Sequence, residues 1–415
     1  MFKLKKIIGP GFITGAADND PSGIATYSQT GAQFGYSQLW TALYCVPFTI
    51  VIQEMCTRIS IVTKKGITTT LSEHYNNYLV YFMTIVFFVA NIVNIGADLN
   101  AVAECLQLLI GFNFYFWLFF ISIVILLLEI FLSYKIYSKI LYFFAFFVVC
   151  YVIVGLMSSE DWKKVFINTI IPYFSFNNEY FLNIIAVIGT TISPYMFFWQ
   201  PAQQIEEIKN DHNSGQVIIK NKSKEIQYMR YDTIIGMVTS NLIMFFIILS
   251  AATILNKHGI TNIETASDAA KALEPLAGKF SEIVFSIGII SLGLLTIPIL
   301  AASSSYVFCE AFDKRCGLNE KFKKARYFYS VIILVVLSGL LVNLTGIKPF
   351  KMLYYAAALN GIIAPILIAI ITLIASNKKI MGNKVNSIFS NVISWSLTFI
   401  LTFFSIVLIY NLLKK

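Results

Sequence analysis

Long apolar windows, each able to cross a bilayer, recur along almost the whole chain, near residues 8–33, 37–62, 78–110, 114–133, 140–157, 182–206, 231–254, 280–310, 326–344, 352–375 and 389–412. A spanning helix needs about 20 apolar residues, so eleven of them require about 220. A 415-residue chain that is 57% hydrophobic supplies little more than that. Only 13% of its residues are charged, where a soluble domain carries roughly a quarter. The windows therefore predict an all-α integral membrane protein with about 11 transmembrane helices, and they exclude a cytosolic globular enzyme.

The charges that remain orient the helices. A net charge of +9 would suggest nucleic acid in a soluble protein, yet here the Lys and Arg fall in short connectors between apolar windows, so no nucleic-acid partner is expected. With a cytoplasmic N-terminus, 22 of the 31 Lys and Arg lie on inner segments and 9 on outer ones. The positive-inside rule then places the N-terminus in the cytoplasm and the C-terminus outside, in a multi-pass protein of the cell membrane. No cleavable leader is expected, since Lys3, Lys5 and Lys6 run into Gly9-Pro10-Gly11 and then the polar Asp18, Asn19 and Asp20. The connector 207–230 is the most polar stretch and reads as a mobile solvated loop. Cys45, Cys56, Cys105, Cys150, Cys309 and Cys316 form no close pair and read as small apolar filler. The bilayer is the one macroscopic partner implied; no obligatory protein partner is.

Two windows are broken by helix-disrupting chemistry: Asp20-Pro21-Ser22-Gly23 in the middle of the first, and Gly189-Thr190-Thr191-Ile192-Ser193-Pro194 in the middle of the sixth. Five windows starting at each break give two halves of opposite topology, a 5+5 inverted repeat over residues 1–157 and 158–375, with an additional helix in 376–415. Breaks at matching positions of two halves are the best sequence pointer to a transporter's central site. An unwound turn exposes carbonyls that lipid cannot solvate, so it survives only against protein, water or an ion. Asp20 adds a charge that costs about 2.5 to 3.5 kcal/mol at the bilayer centre, and a cation is its natural partner.

The donors available are hard oxygens: the Asp20 carboxylate, carbonyls near Ala17 and Thr190, and the Thr190 and Ser193 hydroxyls. They suit magnesium, calcium or manganese as a transported ion. His74, His212 and His258 all fall in connectors, which leaves no imidazole metal site and no Ser/His pair inside the membrane and argues against an intramembrane enzyme. Asp18 lies two residues from Asp20, about 200° away on an intact helix. It can share an ion only if the chain unwinds, and it is read as an accessory electrostatic residue, with a purely structural role left open. Asp98 and Asn360 are the further buried polar residues considered for the ion; the remainder, such as Asn91, Asn94, Gln53 and Arg58, read as helix-to-helix glue.

These residues resemble the Nramp family of divalent-metal transporters. Gly9-Pro10-Gly11-Phe12, Asp20-Pro21-Ser22-Gly23 and Gly31-Ala32-Gln33-Phe34-Gly35-Tyr36-Ser37 are similar to that family's first-helix signature, and Ile52-Gln53 with Arg58, Asp98-Leu99 and Glu310 extend the match. The resemblance implies the inverted-repeat fold of the amino-acid transporter LeuT, with discontinuous helices 1 and 6. It also marks departures. The family's Asp-Pro-Gly-Asn ends here in Gly23, so the Asn ligand position has no side chain. Its Ala-x-x-Met-Pro-His reads Thr190-Thr191-Ile192-Ser193-Pro194-Tyr195, so the thioether becomes Ser193 and the imidazole becomes Tyr195. A smaller, harder ligand set leaves room for water, and magnesium normally keeps several waters. The pattern is similar to the Nramp-related magnesium transporters, with manganese expected as a competing substrate and no cofactor beyond the transported ion.

The residues that couple protons in the family are also altered: its Asp-Leu-Ala-Glu run reads Asp98-Leu99-Asn100-Ala101, and its sixth-helix His positions hold Tyr195 and Gln200. Uptake driven by the ion's own gradient follows as the expectation. The alternative is a proton-coupled manganese or iron carrier of the main Nramp type, and a more distant one is a sodium-coupled carrier of organic solutes.

Overall fold

The computed structural model describes residues 9–131, 149–158, 161–175, 177–213 and 222–413. Lys3, Lys5, Lys6, Lys135, Lys139 and Lys220 lie outside them, as does part of the fifth apolar window. Among the described residues, regular structure is helical throughout: α1 (Pro10–Ala17), α2 (Pro21–Phe34), α3 (Trp40–Thr63), α4 (Ile67–His74), α5 (Asn77–Ile110), α6 (Phe114–Phe131), α7 (Val149–Ser158), α8 (Trp162–Ile170), α9 (Asn178–Thr191), α10 (Pro194–Asn213), α11 (Lys222–Ile254), α12 (Ser281–Ala311), α13 (Arg326–Val342), α14 (Pro349–Ser376) and α15 (Ile388–Leu413), with short helical turns between some of them. Among the described residues, nine helical stretches are long and apolar enough to cross a membrane; α1 with α2 fills the first window in two pieces, and α7 is the described part of the fifth.

Both breaks are shorter than the sequence put them, and the first is displaced toward Asp18. In the first, only Asp18 to Asp20 leave the helix, because Pro21 fits the first position of α2, where its missing N–H costs nothing. Ser22 and Gly23 belong to that helix's first turn. In the sixth, Gly189 to Thr191 remain helical in α9, and only Ile192 and Ser193 separate it from α10, which again starts at a proline. The 207–230 connector also differs from expectation. Its two flanks continue as helix, to Asn213 in α10 and from Lys222 in α11, and residues 214–221 lie outside the described set.

Packing follows residue size. α11 lies against α1, α2 and α3, and α5 lies against α12, α13 and α14. A Cβ on Gly15 would run into the Gly236 carbonyl, and one on Gly189 into the backbone of Ala357 and Gly361. The pairs α1/α11 and α9/α14 therefore touch backbone to backbone, as small residues permit in membranes, where dispersion and hydrogen bonds do the holding. At the periphery, α6 turns Phe116, Phe119 and Phe120 outward and α15 turns Phe399 and Phe403 outward, the surfaces that face lipid.

Several polar residues close the ends of this bundle. Asp232 of α11 accepts from the backbone N–H groups of Gly9 (2.9 Å), Gly11 (2.6 Å) and Phe12 (3.1 Å), capping α1 from another helix. Glu310, at the end of α12, does the same for α4, accepting from Thr68 and Thr69. Arg58 is clamped by Glu54 (3.0 Å), the Lys384 carbonyl and Asn386 (2.6 Å), and Arg230 joins Glu54 at 2.8 Å, so α3, α11 and the start of the α15 region are tied at one end of the bundle. Gln53 reaches the Met196 carbonyl at 2.7 Å and fixes α3 to α10 just past its break.

Candidate metal site at the two helix breaks

α1 and α9 run toward the centre from opposite sides and end there, so the carbonyl ends of two helices point at one region, while α2 and α10 start from it. Carbonyl ends carry partial negative charge and unwound carbonyls coordinate cations in discontinuous helices. Two hydrogen bonds join the breaks directly. The Ser22 and Thr190 hydroxyls are 3.0 Å apart, and the Tyr195 hydroxyl donates to the Ala17 carbonyl at 2.9 Å. A third, between Tyr27 and Thr191 (2.9 Å), lies one turn away.

Asp20 sits at the middle of this arrangement, 1% exposed, as the N-cap of α2. Its Oδ1 accepts from the Gly23 N–H and from the Ser22 hydroxyl, both at 2.7 Å. One lobe of the carboxylate thus builds the helix end, and its charge stays in the break. Gly23 contributes its N–H to Asp20 and brings no side chain of its own. Ser193 donates to the Thr190 carbonyl at 2.6 Å. Each carbonyl has two lone pairs, so the Ala17 and Thr190 oxygens keep one acceptor position beyond these bonds.

Asp18 ends α1 in helical conformation, whereas Asp20 is extended. This turn lets both carboxylates be wholly buried two residues apart. Asp18 accepts from Ser240 of α11, and its other oxygen has no hydrogen-bond partner among the described residues. Asn19 donates to the same Ser240 hydroxyl at 3.2 Å. Ser22, Asn19 and Ser240 were missed by sequence reasoning; Ser22 alone carried a signal, as part of the broken motif.

Ala17, Asp20, Gly23, Thr190, Ser193 and Tyr195 therefore come together, with Asp18 beside them. The other residues considered have partners of their own: Asp98 of α5 accepts from Thr296 of α12 at 3.2 Å, Asn360 of α14 accepts from Asn94 at 2.8 Å, and Gln200 of α10 donates to Thr233 of α11 at 2.8 Å; Asp98 is nonetheless near enough to Asp20 for their charges to interact. Asp98 retains one buried oxygen without a hydrogen-bond partner among the described residues. Among the described residues no group of three or more His, Cys, Asp or Glu is placed to hold a metal, so an ion at the breaks would rest on one or two carboxylates, hydroxyls and carbonyls.

From the breaks a polar seam climbs between α2 and α9. Ser22 faces Thr190; two turns on, Thr30 meets Asn183 at 3.0 Å; at the end, Gln33 donates to Glu179 at 2.9 Å. Asn183 also donates to Gln38 at 2.6 Å and accepts from Tyr354 of α14 at 3.1 Å, drawing three helices together. The seam opens into a cavity of about 180 Å³ lined by Gln29, Gln33, Glu179, Asn262, Lys351 and Tyr354. At its rim, hydrogen bonds from Lys348 and then Lys351 hold the Glu264 carboxyl below the usual carboxylate range.

Relatives share this architecture. The chain is 25% identical to the divalent metal cation transporter MntH of Caldanaerobacter subterraneus subsp. tengcongensis, over 91% of this chain and 86% of that protein. It is 22% identical to MntH of Clostridium acetobutylicum, over 98% and 91% respectively. Its fold matches the Eremococcus coleocola manganese transporter with a TM-score of 0.77 at 15% identity, covering 97% of this chain and 86% of that one. It matches inward-facing Mhp1 with a TM-score of 0.55 at 14% identity, covering 97% and 90%. The structural likenesses show an all-helical, LeuT-like fold. The family model described as natural resistance-associated macrophage protein-like matches residues 11–411, and the chain belongs to the Nramp family.

Proposed function

We propose that this protein carries divalent metal cations across the cell membrane, with magnesium as the main cargo and manganese as a competing one, by exposing Asp20 alternately to the two sides. The joining of the two breaks by Ser22 to Thr190 and Tyr195 to Ala17 carries this reading, because it sets the one carboxylate of the α2 cap between two converging carbonyl ends. Names of the relatives, divalent metal cation transporter and manganese transporter, support the cargo class. The harder donor set favours magnesium: Ser193 and Tyr195 stand where the family pattern has a thioether and an imidazole, and a short oxygen list suits an ion that keeps part of its water. Manganese binds such sites at least as well, so magnesium's abundance sets the flux.

The seam between α2 and α9 is the outer access route in this reading, and the Glu54, Arg58 and Arg230 clasp closes the inner end. The N-terminus is cytoplasmic and the C-terminus external, from the charge bias, and residues 1–157 and 158–375 are the two inverted repeats with 376–415 appended. Transport is uncoupled from protons. A divalent ion gains about 4.6 kcal/mol per 100 mV, enough for accumulation on the order of a thousandfold. The other reading is a proton-coupled manganese or iron carrier, of which the relatives' names support the manganese alone.

Purified protein in liposomes with an imposed inside-negative potential separates the two. Magnesium influx without internal acidification is the expected result. Strict dependence on an inward proton gradient would overturn the uncoupled reading, and failure to move any divalent ion would overturn the cargo class.

A further inference from the structure

The connector between α12 and α13 and the first residue of α13 carry six bases: Lys314, Arg315, Lys321, Lys323, Lys324 and Arg326, all exposed. Two have local partners. Arg315 pairs with Glu320 at 2.6 Å, and the Lys314 ammonium lies over the Tyr327 ring at 5.4 Å. Among the described residues, Lys321, Lys323, Lys324 and Arg326 have no carboxylate within ion-pair distance. Exposed aromatics alternate with them, Phe322 at 42% and Tyr327 at 59% accessible, at the point where two spanning helices leave the membrane. Orientation of helices in a bilayer requires only that bases be numerous on one side; it requires neither this interleaving nor a fixed shape.

The connector nevertheless has a fixed shape. Glu206 of α10 accepts from the Leu318 N–H (2.9 Å), the Asn319 amide (2.6 Å) and the Tyr306 hydroxyl. Tyr329 of α13 donates to the Glu320 carbonyl at 2.8 Å, and the Lys324 and Ala325 N–H groups turn back to the Lys321 carbonyl. Four unpaired cations are thus displayed on a pinned turn. Phe322 lies between them, and Tyr327, a residue of the kind that settles at the headgroup layer, lies beside Arg326.

We propose that Lys321, Lys323, Lys324 and Arg326 form a binding site for the anionic phosphate headgroups of the surrounding bilayer. Charge complementarity names the chemistry, and the adjoining Phe322 and Tyr327 select a lipid over free phosphate, since only a lipid brings acyl chains to those rings. Because Glu206 belongs to the helix that begins at Pro194, directly after the second break, an occupied headgroup site stiffens the inner end of the segment that leaves the transport site. The proposal needs the membrane placement but not the cargo assigned above.

The test uses the full chain in mixed micelles of phosphatidylglycerol and phosphatidylcholine, with bound lipid counted by native mass spectrometry. The parent protein should retain phosphatidylglycerol preferentially, and the preference should fall as salt rises. K321Q/K323Q/K324Q should weaken it by about fivefold per charge, on the order of a hundredfold for three, while K321R/K323R/K324R keeps it. Equal retention of the two lipids by the parent would overturn the proposal without any variant being needed. So would an undiminished preference in a monodisperse triple Gln variant, or displacement of phosphatidylglycerol by millimolar inorganic phosphate.

Discussion

Asp20→Asn separates the two things Asp20 does. The cap on α2 uses one oxygen, which takes both the Gly23 N–H and the Ser22 hydroxyl, and asparagine keeps an oxygen at that place. What it removes is the charge. A unit charge about 4 Å from a divalent ion at an effective dielectric of 20 interacts by about 8 kcal/mol before dehydration is subtracted. If only a third of that survives dehydration and an intervening water, about 2.7 kcal/mol is lost, on the order of a hundredfold in affinity. The assay is calorimetric titration of manganese and magnesium together with influx into liposomes, beside a thermal unfolding scan in detergent. Asp20→Asn should unfold within a few degrees of the parent yet bind and transport at least a hundredfold more weakly. Near-parental affinity in the folded variant would show that the ion does not depend on this carboxylate, and the reasoning would be wrong.

Three further outcomes follow from particular contacts. Ser193→Met restores a soft donor at the sixth-span break and should raise competition by cadmium against manganese uptake; an unchanged preference would mean that Ser193 faces away from the ion. Asp232→Ala strips the cap from α1, leaving three N–H groups of which only that of Gly11 is fully buried, and should cost about 2 to 4 kcal/mol, read as a fall in the melting temperature, with Asp232→Asn roughly halving the loss. Gly189→Ala places a methyl against the backbone of Ala357 and Gly361 and should destabilise by about 1 to 3 kcal/mol; a melting temperature equal to the parent's would contradict the close approach of α9 and α14.

The apolar windows made the spanning helices readable because length and hydropathy alone decide them. The breaks were readable as regions, since Pro21, Pro194 and a buried Asp20 are costly anywhere else. Their limits were not. A proline signals a fresh helix start as readily as a disruption, and the start is what Pro21 and Pro194 supply. Partners across sequence distance left no local trace. Asp232 looks like one stray charge in an apolar window until the fold sets it beneath Gly9 and Gly11, and Ser240 is one hydroxyl among many until it lies between Asp18 and Asn19. Asp98 and Asn360, conspicuous in sequence as intramembrane polar groups, turn out to bond to Thr296 and Asn94. Composition reveals that a polar group is buried, but only topology reveals what it faces.

The most direct test is the anomalous diffraction signal of crystals grown with manganese and collected on both sides of its absorption edge. A single peak beside the Asp20 carboxylate, about 2.1 Å away or one water further, and bounded by Ala17, Thr190 and Ser193, is the predicted result. A peak seated instead between Asp98 and Asn360, with none at the two breaks, would contradict the account.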